Sequence, residues 1–283
     1  MTTAQLSDTF RQRLKDVFDE RETEAMLRVV WEQLKGWQPV DTVLHREDEI
    51  GETTSKEFLH IIERLEKKEP IQYILGVARF FGIDLKVTPD TLIPRPETEG
   101  LVQLIIDDYA NKADLRIMDI GSGSGAIAVA LAKHLPFSRV TALDISENAL
   151  KVVGENAKRH HVQLQLVEAD ILKYEGLPES YDIVVSNPPY VLQSERGKML
   201  PNVLDFEPLS AIFAPEDNPV IFYETIIRFA EKTLIPGGGL YFELNPLTAD
   251  KVKSLSEDNG FSDVEIIRDI HGRNRYLKAI KNQ

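Results

Sequence analysis

From Leu101 onward, short apolar runs alternate with stretches of helical periodicity, and this alternation limits the possible folds more than any other feature of the chain. The runs fall at residues 116–120, 140–143, 163–167, 182–186, 240–244, 264–267 and 276–280, with helical patterns between most of them, as at 146–159 and 220–234. Strands that are apolar on both faces belong in a parallel sheet covered by crossover helices, which predicts an α/β, mainly parallel, doubly wound sheet of seven strands. The last two runs are too close together for a crossover helix and should pair antiparallel.

The first seventy or so residues read differently. Apolar positions recur at helical spacing in Leu6, Phe10, Leu14 and Val17, and again in Phe58, Ile61, Ile62 and Leu65, with Thr54 and Glu57 spaced as a capping box ahead of the later set. Helix-on-helix packing is the simplest burial of such stripes, so residues 1–75 are expected to form an N-terminal helical-bundle domain. Residues 76–99 should supply a hairpin and linker: 80–87 partly alternates and carries Gly82, and 92–99 is stiffened by Pro94 and Pro96. Residues 100–283 then make the α/β domain. Arg95 and Glu97, in the connector, are candidates to lie over a ligand cleft.

Composition narrows the function. The 283 residues are 42% hydrophobic and 28% charged, as in an ordinary soluble protein long enough for two domains. The absence of cysteine excludes disulfides, thiolate nucleophiles and zinc-cysteine sites. No apolar stretch approaches membrane-spanning length, and residues 1–24 are polar and charged, so a cytoplasmic protein with no membrane association is expected. A net charge of −13 repels nucleic-acid phosphates, so no direct nucleic-acid binding is expected and a basic protein is the better partner.

Chemistry concentrates at the ends of the predicted strands, where open α/β sheets hold ligands. The loop Asp119-Ile120-Gly121-Ser122-Gly123-Ser124-Gly125 follows the first strand and leads into a helix at 126–134. Its glycines permit a tight turn and close approach of the backbone to a nucleotide-like cofactor. That loop alone does not separate a dinucleotide from S-adenosylmethionine. Asp144 ends the second strand at the offset where an acid bonds ribose hydroxyls, and Asp170 with Ile171 follows the third, placed to meet an adenine ring. Either aspartate alone would be an ordinary helix cap or loop acid.

The fourth strand ends in Asn187-Pro188-Pro189-Tyr190. Two prolines stiffen the loop and remove two N–H donors, leaving an excess of acceptors in the Asn187 side-chain oxygen and the Pro188 carbonyl. Such a pair suits an NH2 group on a planar amide or an aromatic amine. Hydride transfer has no use for it, whereas methyl transfer to nitrogen does. The pair His160-His161 lacks further metal ligands at useful spacing, His271 reads as a hairpin or surface residue, and no zinc-protease, nucleophile-elbow or P-loop motif occurs.

With these motifs the chain resembles the protein N5-glutamine methyltransferases, specifically the branch acting on peptide chain release factors. The matching segments are 70–76, 92–99, the glycine loop, Asn187 to Tyr190, 206–209 and 269–275. The resemblance implies a Rossmann-like class I S-adenosylmethionine-dependent methyltransferase domain behind a substrate-docking helical domain. It implies cofactor contacts at Gly121, Ser122, Gly123, Ser124, Gly125, Asp144, Asp170, Ile171 and Asn187. Substrate glutamine would meet Asn187, Pro188, Pro189 and Tyr190, with Asn187, Pro188 and Tyr190 carrying catalysis and no metal. The implied substrate is the glutamine of a Gly-Gly-Gln tip in class-1 release factors, modified by a monomer. A ribosomal-protein glutamine methyltransferase and an adenine-N6 methyltransferase share the Asn-Pro-Pro-Tyr logic, and a non-catalytic binding module is the alternative of another class. One departure stands out: after Glu243 the family usually has a glycine-containing turn, where this chain has Leu244-Asn245-Pro246.

Overall fold

The computed structural model describes residues 1–174 and 180–283. It divides into two compact units: Met1–Gly76 together with Leu200–Phe206, and Val77–Met199 together with Glu207–Gln283.

The first unit is helical, built from α1 (Thr3–Leu14), α2 (Glu20–Lys35), α3 (Pro39–Leu44), α4 (Glu52–Leu65) and α5 (Ile71–Leu75). Thr2 and Gln5 form a reciprocal capping box on α1, and Asp19 caps α2 through the Glu22 amide. Of the apolar stripes read from the sequence, Leu6, Phe10, Leu14, Phe58, Ile61, Ile62 and Leu65 meet in one core with Val30 and Trp31 of α2, while Val17, past the end of α1, stays outside it. The expected Thr54–Glu57 capping box is not formed. Helix α4 starts earlier, with Gly51 as its cap, because the Thr2–Glu49 bridge and burial of Ile50 fix where the preceding segment ends. Thr54 is therefore already inside the helix.

The second unit opens with a hairpin of β1 (Val77–Phe80) and β2 (Ile83–Lys86). Its two-residue turn, Phe81-Gly82, has φ of 47° and 74°, the left-handed pair that matches the twist of tight hairpins. Phe80 and Leu85 are fully buried in the same core as Ile105, Ile117 and Leu131. The segment expected as a hairpin and linker is thus part of the α/β unit, where apolar alternation on a short hairpin found a core to join.

The main sheet has seven strands in the order β5-β4-β3-β6-β7-β9-β8. They are β3 (Arg116–Ile120), β4 (Arg139–Asp144), β5 (Leu164–Glu168), β6 (Tyr181–Ser186), β7 (Leu234–Glu243), β8 (Phe261–Arg268) and β9 (Asn274–Lys281). All pairings are parallel except those of β9, which runs antiparallel to both β7 and β8, as its short connection requires. Helices α6 (Pro96–Tyr109), α7 (Ala126–His134), α8 (Glu147–Arg159), α10 (Ile221–Thr233) and α11 (Ala249–Asp258) accompany the sheet, and α9 (Pro201–Phe206) groups with the first unit.

Strand alternation splits the core by face. Ile117, Ile183, Val185 and Tyr241 join one cluster, while Met118, Ile120, Val184, Leu240 and Phe242 join the other. The strand expected at 240–244 extends back to Leu234. The Pro236-Gly237-Gly238-Gly239 run is absorbed by a register shift in which Tyr181 pairs with Leu234 but Ile183 with Gly239. The chain leaves β3 outward through β4 and β5, then returns to place β6 on the other side of β3. That reversal opens a crevice at the carboxyl ends of β3 and β6. Among the described residues no helix is long and apolar enough to cross a membrane.

Candidate active site

The crevice holds a cavity of about 330 Å³. Four successive strand ends line it: Gly121 and Gly123 after β3, Asp144 after β4, Asp170 and Ile171 after β5, and Asn187, Pro188 and Pro189 after β6. Leu92 and Phe222 close other parts of the wall. A second cavity of about 420 Å³ lies in the helical unit, but its Arg11 is paired with Glu24 and it gathers no comparable set of ligand groups.

The glycine loop is shaped by its backbone. Gly121 and Gly123 have φ of 75° and 54°, and a Cβ on either would meet nothing of the protein within 4 Å. Their positive φ demands glycine, and the open space beside them is available to a ligand. Gly125 differs: a Cβ there would sit 3.0 Å from Val153 Cγ1, so this glycine serves the packing of α7 against α8. Ser122 and Ser124 are buried. The Ser122 hydroxyl lies 3.0 Å from the Asp119 carbonyl, and the Ser124 carbonyl accepts from Asn156 Nδ2 at 2.9 Å. The structure therefore puts Gly121 and Gly123 on the cavity wall and leaves Ser122, Ser124 and Gly125 behind it.

Asp144 is both a lining residue and a brace. Its Oδ2 accepts the Gly123 amide at 2.8 Å and its Oδ1 accepts the Ser146 amide at 2.9 Å. Asp170 Oδ1 similarly accepts from the Leu172 amide at 3.0 Å. Asp119, at the end of β3, is wholly buried; its Oδ2 accepts from the Ala128 amide at 3.2 Å while its Oδ1 has no partner among the described residues. Burial pushes the Asp119 carboxyl up to about 7, against the opposing pull of the nearby Ser122 hydroxyl and the Ala128 amide.

Behind Asn187 lies a buried polar chain that the sequence did not reveal. Asn187 Nδ2 donates to Thr98 Oγ1 at 3.2 Å, and Thr98 Oγ1 donates to Glu243 Oε2 at 2.7 Å. The Tyr190 hydroxyl donates to Glu243 Oε1 at 2.8 Å and lies 3.4 Å from Arg275 Nη1, whose Nε donates to Asp269 at 3.2 Å. Burial raises the pKa of Glu243, opposed by its bonds from Thr98 and Tyr190. Tyr190 does not line the cavity. Asn245, in the Leu244-Asn245-Pro246 segment, is buried and donates through Nδ2 to the Tyr190 carbonyl at 3.0 Å and to Glu195 at 2.7 Å. A side-chain amide thus ties down this loop.

Sequence offered one signal for this chain: Glu243 is an acid inside the apolar run of a central strand, and buried acids require partners. Arg95 and Glu97, the connector candidates, do not line the cavity. Arg95 Nη2 pairs with Glu207 at 2.7 Å, and the Glu97 carbonyl accepts the Tyr276 hydroxyl at 2.6 Å; Asp90, Thr91 and Leu92 reach the wall instead. His160 Nε2 lies 2.8 Å from the Asp84 carbonyl, and no metal-binding cluster is found among the described residues.

Among the described residues the cavity wall carries Asp90, Asp144 and Asp170 and no Lys, Arg or His. A dinucleotide's diphosphate would find no counter-charge there, whereas a cationic sulfonium with an ammonium group and ribose hydroxyls fits an acidic, acceptor-rich wall. Over 270 residues the chain is 40% identical to the release factor glutamine methyltransferase of Bacteroides thetaiotaomicron, covering 95% of this chain and 96% of that one. It belongs to that family. The Flavobacterium psychrophilum member is 38% identical over 273 residues, again covering 95% and 96%. Family models match as a PrmC N-terminal domain over residues 5–76 and a Methyltransferase small domain over residues 99–204. A methyltransferase from Pyrococcus furiosus shares the fold, with a TM-score of 0.54 at 17% identity over 82% of this chain and all of that one. The family's cofactor is S-adenosylmethionine, and the chain is an S-adenosylmethionine-dependent protein methyltransferase.

Proposed function

We propose that this chain methylates the side-chain amide nitrogen, N5, of the glutamine in the Gly-Gly-Gln motif of class-1 peptide chain release factors. The observation that carries the reading is the state of Asn187: its Nδ2 is held by Thr98, so its Oδ1 remains to accept a hydrogen bond beside the acidic cavity.

Bound S-adenosylmethionine supplies an electrophilic methyl group. Gly121 and Gly123 would give its amino-acid part backbone to lie against, Asp144 and Asp170 would accept from its hydroxyl and amino groups, and Ile171 would pack on its adenine. The substrate amide nitrogen is a weak nucleophile because its lone pair is delocalised into the carbonyl. Asn187 Oδ1 and the Pro188 carbonyl each accept one of its N–H bonds, which orients the nitrogen and favours pyramidalisation. Positioning of this kind lowers a barrier by up to about 7–11 kcal/mol. As the N–C bond forms and the donor's S–C bond breaks, the alkylated amide nitrogen becomes strongly acidic and releases one proton to water, so no dedicated general base is required. Tyr190 shapes the loop from behind, with its hydroxyl on Glu243 and its carbonyl on Asn245. The helical unit, with its separate core, docks the body of the factor.

The test is transfer of a labelled methyl group from S-adenosylmethionine to purified release factor, beside the same factor with its tip glutamine replaced. Label that disappears with that glutamine supports the reading. Label appearing instead on a ribosomal protein or on adenine in nucleic acid overturns the substrate.

A further inference from the structure

A primary amide offers an acceptor at one end and a donor at the other, so Asn187 selects a substrate NH2 only if it cannot turn over. Thr98 decides which end it shows. A threonine hydroxyl has a single proton, and Thr98 directs it to Glu243 Oε2 at 2.7 Å, so Oγ1 meets Asn187 Nδ2, 3.2 Å away, as an acceptor. Glu243 is fixed in turn, because its other oxygen receives the Tyr190 hydroxyl at 2.8 Å. A flipped Asn187 would set its carbonyl oxygen against the Thr98 lone pairs, and Thr98 and Glu243, at 4% and 1% exposure, have little access to water that would relieve the clash. Arg275, 8% exposed and 3.4 Å from the Tyr190 oxygen, places a positive charge at the far end of the chain.

We propose that Thr98 and Glu243 are positioning residues that lock the Asn187 amide with its oxygen toward the substrate, so that the site accepts an NH2 group and rejects a carboxylate or carbonyl oxygen. The inference rests on the amide-methylation reading and deepens it: selection of glutamine over glutamate comes from a threonine and a glutamate that do not touch the substrate. The residues lie 89 and 145 positions from their partners in sequence, and β6, β7 and the start of α6 bring them together.

Thr98→Val keeps the shape of the side chain and removes the hydroxyl; Thr98→Ser keeps the hydroxyl. With full-length enzyme and purified release factor, Thr98→Val is expected to lower kcat by about 10–100-fold, the scale of a small misplacement of a reacting group. Cofactor affinity by calorimetry should change little, and Thr98→Ser should recover most of the lost rate. Competition by a factor carrying glutamate at its tip should strengthen in Thr98→Val by about tenfold, because a freed Asn187 can offer its NH2 to a carboxylate. In the apo enzyme the Asn187 side-chain NH2 resonance, assigned through Asn187→Ala, should shift in Thr98→Val and return in Thr98→Ser. Near-wild-type kcat and unchanged glutamine-over-glutamate preference in Thr98→Val would overturn the lock, as would Thr98→Ser falling as far as Thr98→Val. If wild-type enzyme methylates no release factor, the substrate reading falls and the resonance decides the lock: no shift between wild type and Thr98→Val overturns it.

Discussion

Asp144 accepts the Gly123 amide at 2.8 Å, so the acid at the end of β4 braces the loop at the end of β3. One carboxylate braces the loop and presents its remaining lone pairs to the cavity. Asp144→Ala removes both, and S-adenosylmethionine affinity measured by calorimetry should fall at least about tenfold, or ~1.4 kcal/mol. An unchanged dissociation constant would contradict the double role.

On the proposed reading, Asn187 is expected to contribute to the reaction more than to cofactor binding. Asn187→Ala should lower kcat by at least about 100-fold, since it removes an acceptor aimed at the nucleophile, while changing cofactor affinity by less than about 1 kcal/mol. Single-turnover rates alongside calorimetry separate the two effects.

Arg95 and Glu207 form the ion pair that anchors the connector before α6. Glu207, its side chain only 1% exposed, accepts Arg95 Nη2 at 2.7 Å through one oxygen and the Ile93 amide at 3.2 Å through the other. Arg95→Met strands a buried carboxylate and should destabilise the enzyme by about 3–5 kcal/mol in urea melts. The double variant Arg95→Met/Glu207→Gln should be less damaged than Arg95→Met alone. Additive losses would mean that the two groups do not depend on each other.

Asp119 sets a pH dependence of stability with a definite sign. Its folded value of about 7 lies above the unfolded value of about 3.9. Between these values the folded chain keeps a proton that the unfolded chain has released, so this contribution to stability falls as pH rises through the window and levels off above 7. The full span is worth roughly 4 kcal/mol. Asp119→Asn removes the titration, so its stability relative to wild type, read from urea midpoints of apo enzyme, should improve by a few kcal/mol between about pH 5 and pH 8. A difference that stays constant with pH would contradict the assignment.

Short-range patterns carried most of the fold and much of the site. Short apolar runs set between helical patterns located every strand of the main sheet, and Gly121, Gly123, Asp144, Ile171 and Asn187 sit on one cavity because each stands at the end of a strand fixed by topology. Features set by distant partners were not legible. Thr98 looked like one polar residue in a proline-rich connector, and only the folded chain brings it against Glu243. The strand expected at 240–244 stops short of the Gly237-Gly238-Gly239 run because glycine lacks strand propensity, yet pairing with β6 recruits that run into β7. Likewise, the serines of the glycine loop read like their neighbours, but alternation around a tight turn buries them behind the wall that Gly121 and Gly123 form.

The most direct measurement is tandem mass spectrometry of the tip peptide from release factor incubated with the enzyme and S-adenosylmethionine. A single added methyl on the glutamine side-chain amide, absent with Asn187→Ala enzyme, is the predicted result. A methyl group at any other residue, or one that persists with Asn187→Ala at the wild-type rate, would contradict the assignment of Asn187 and Pro188 as the groups that aim the amide.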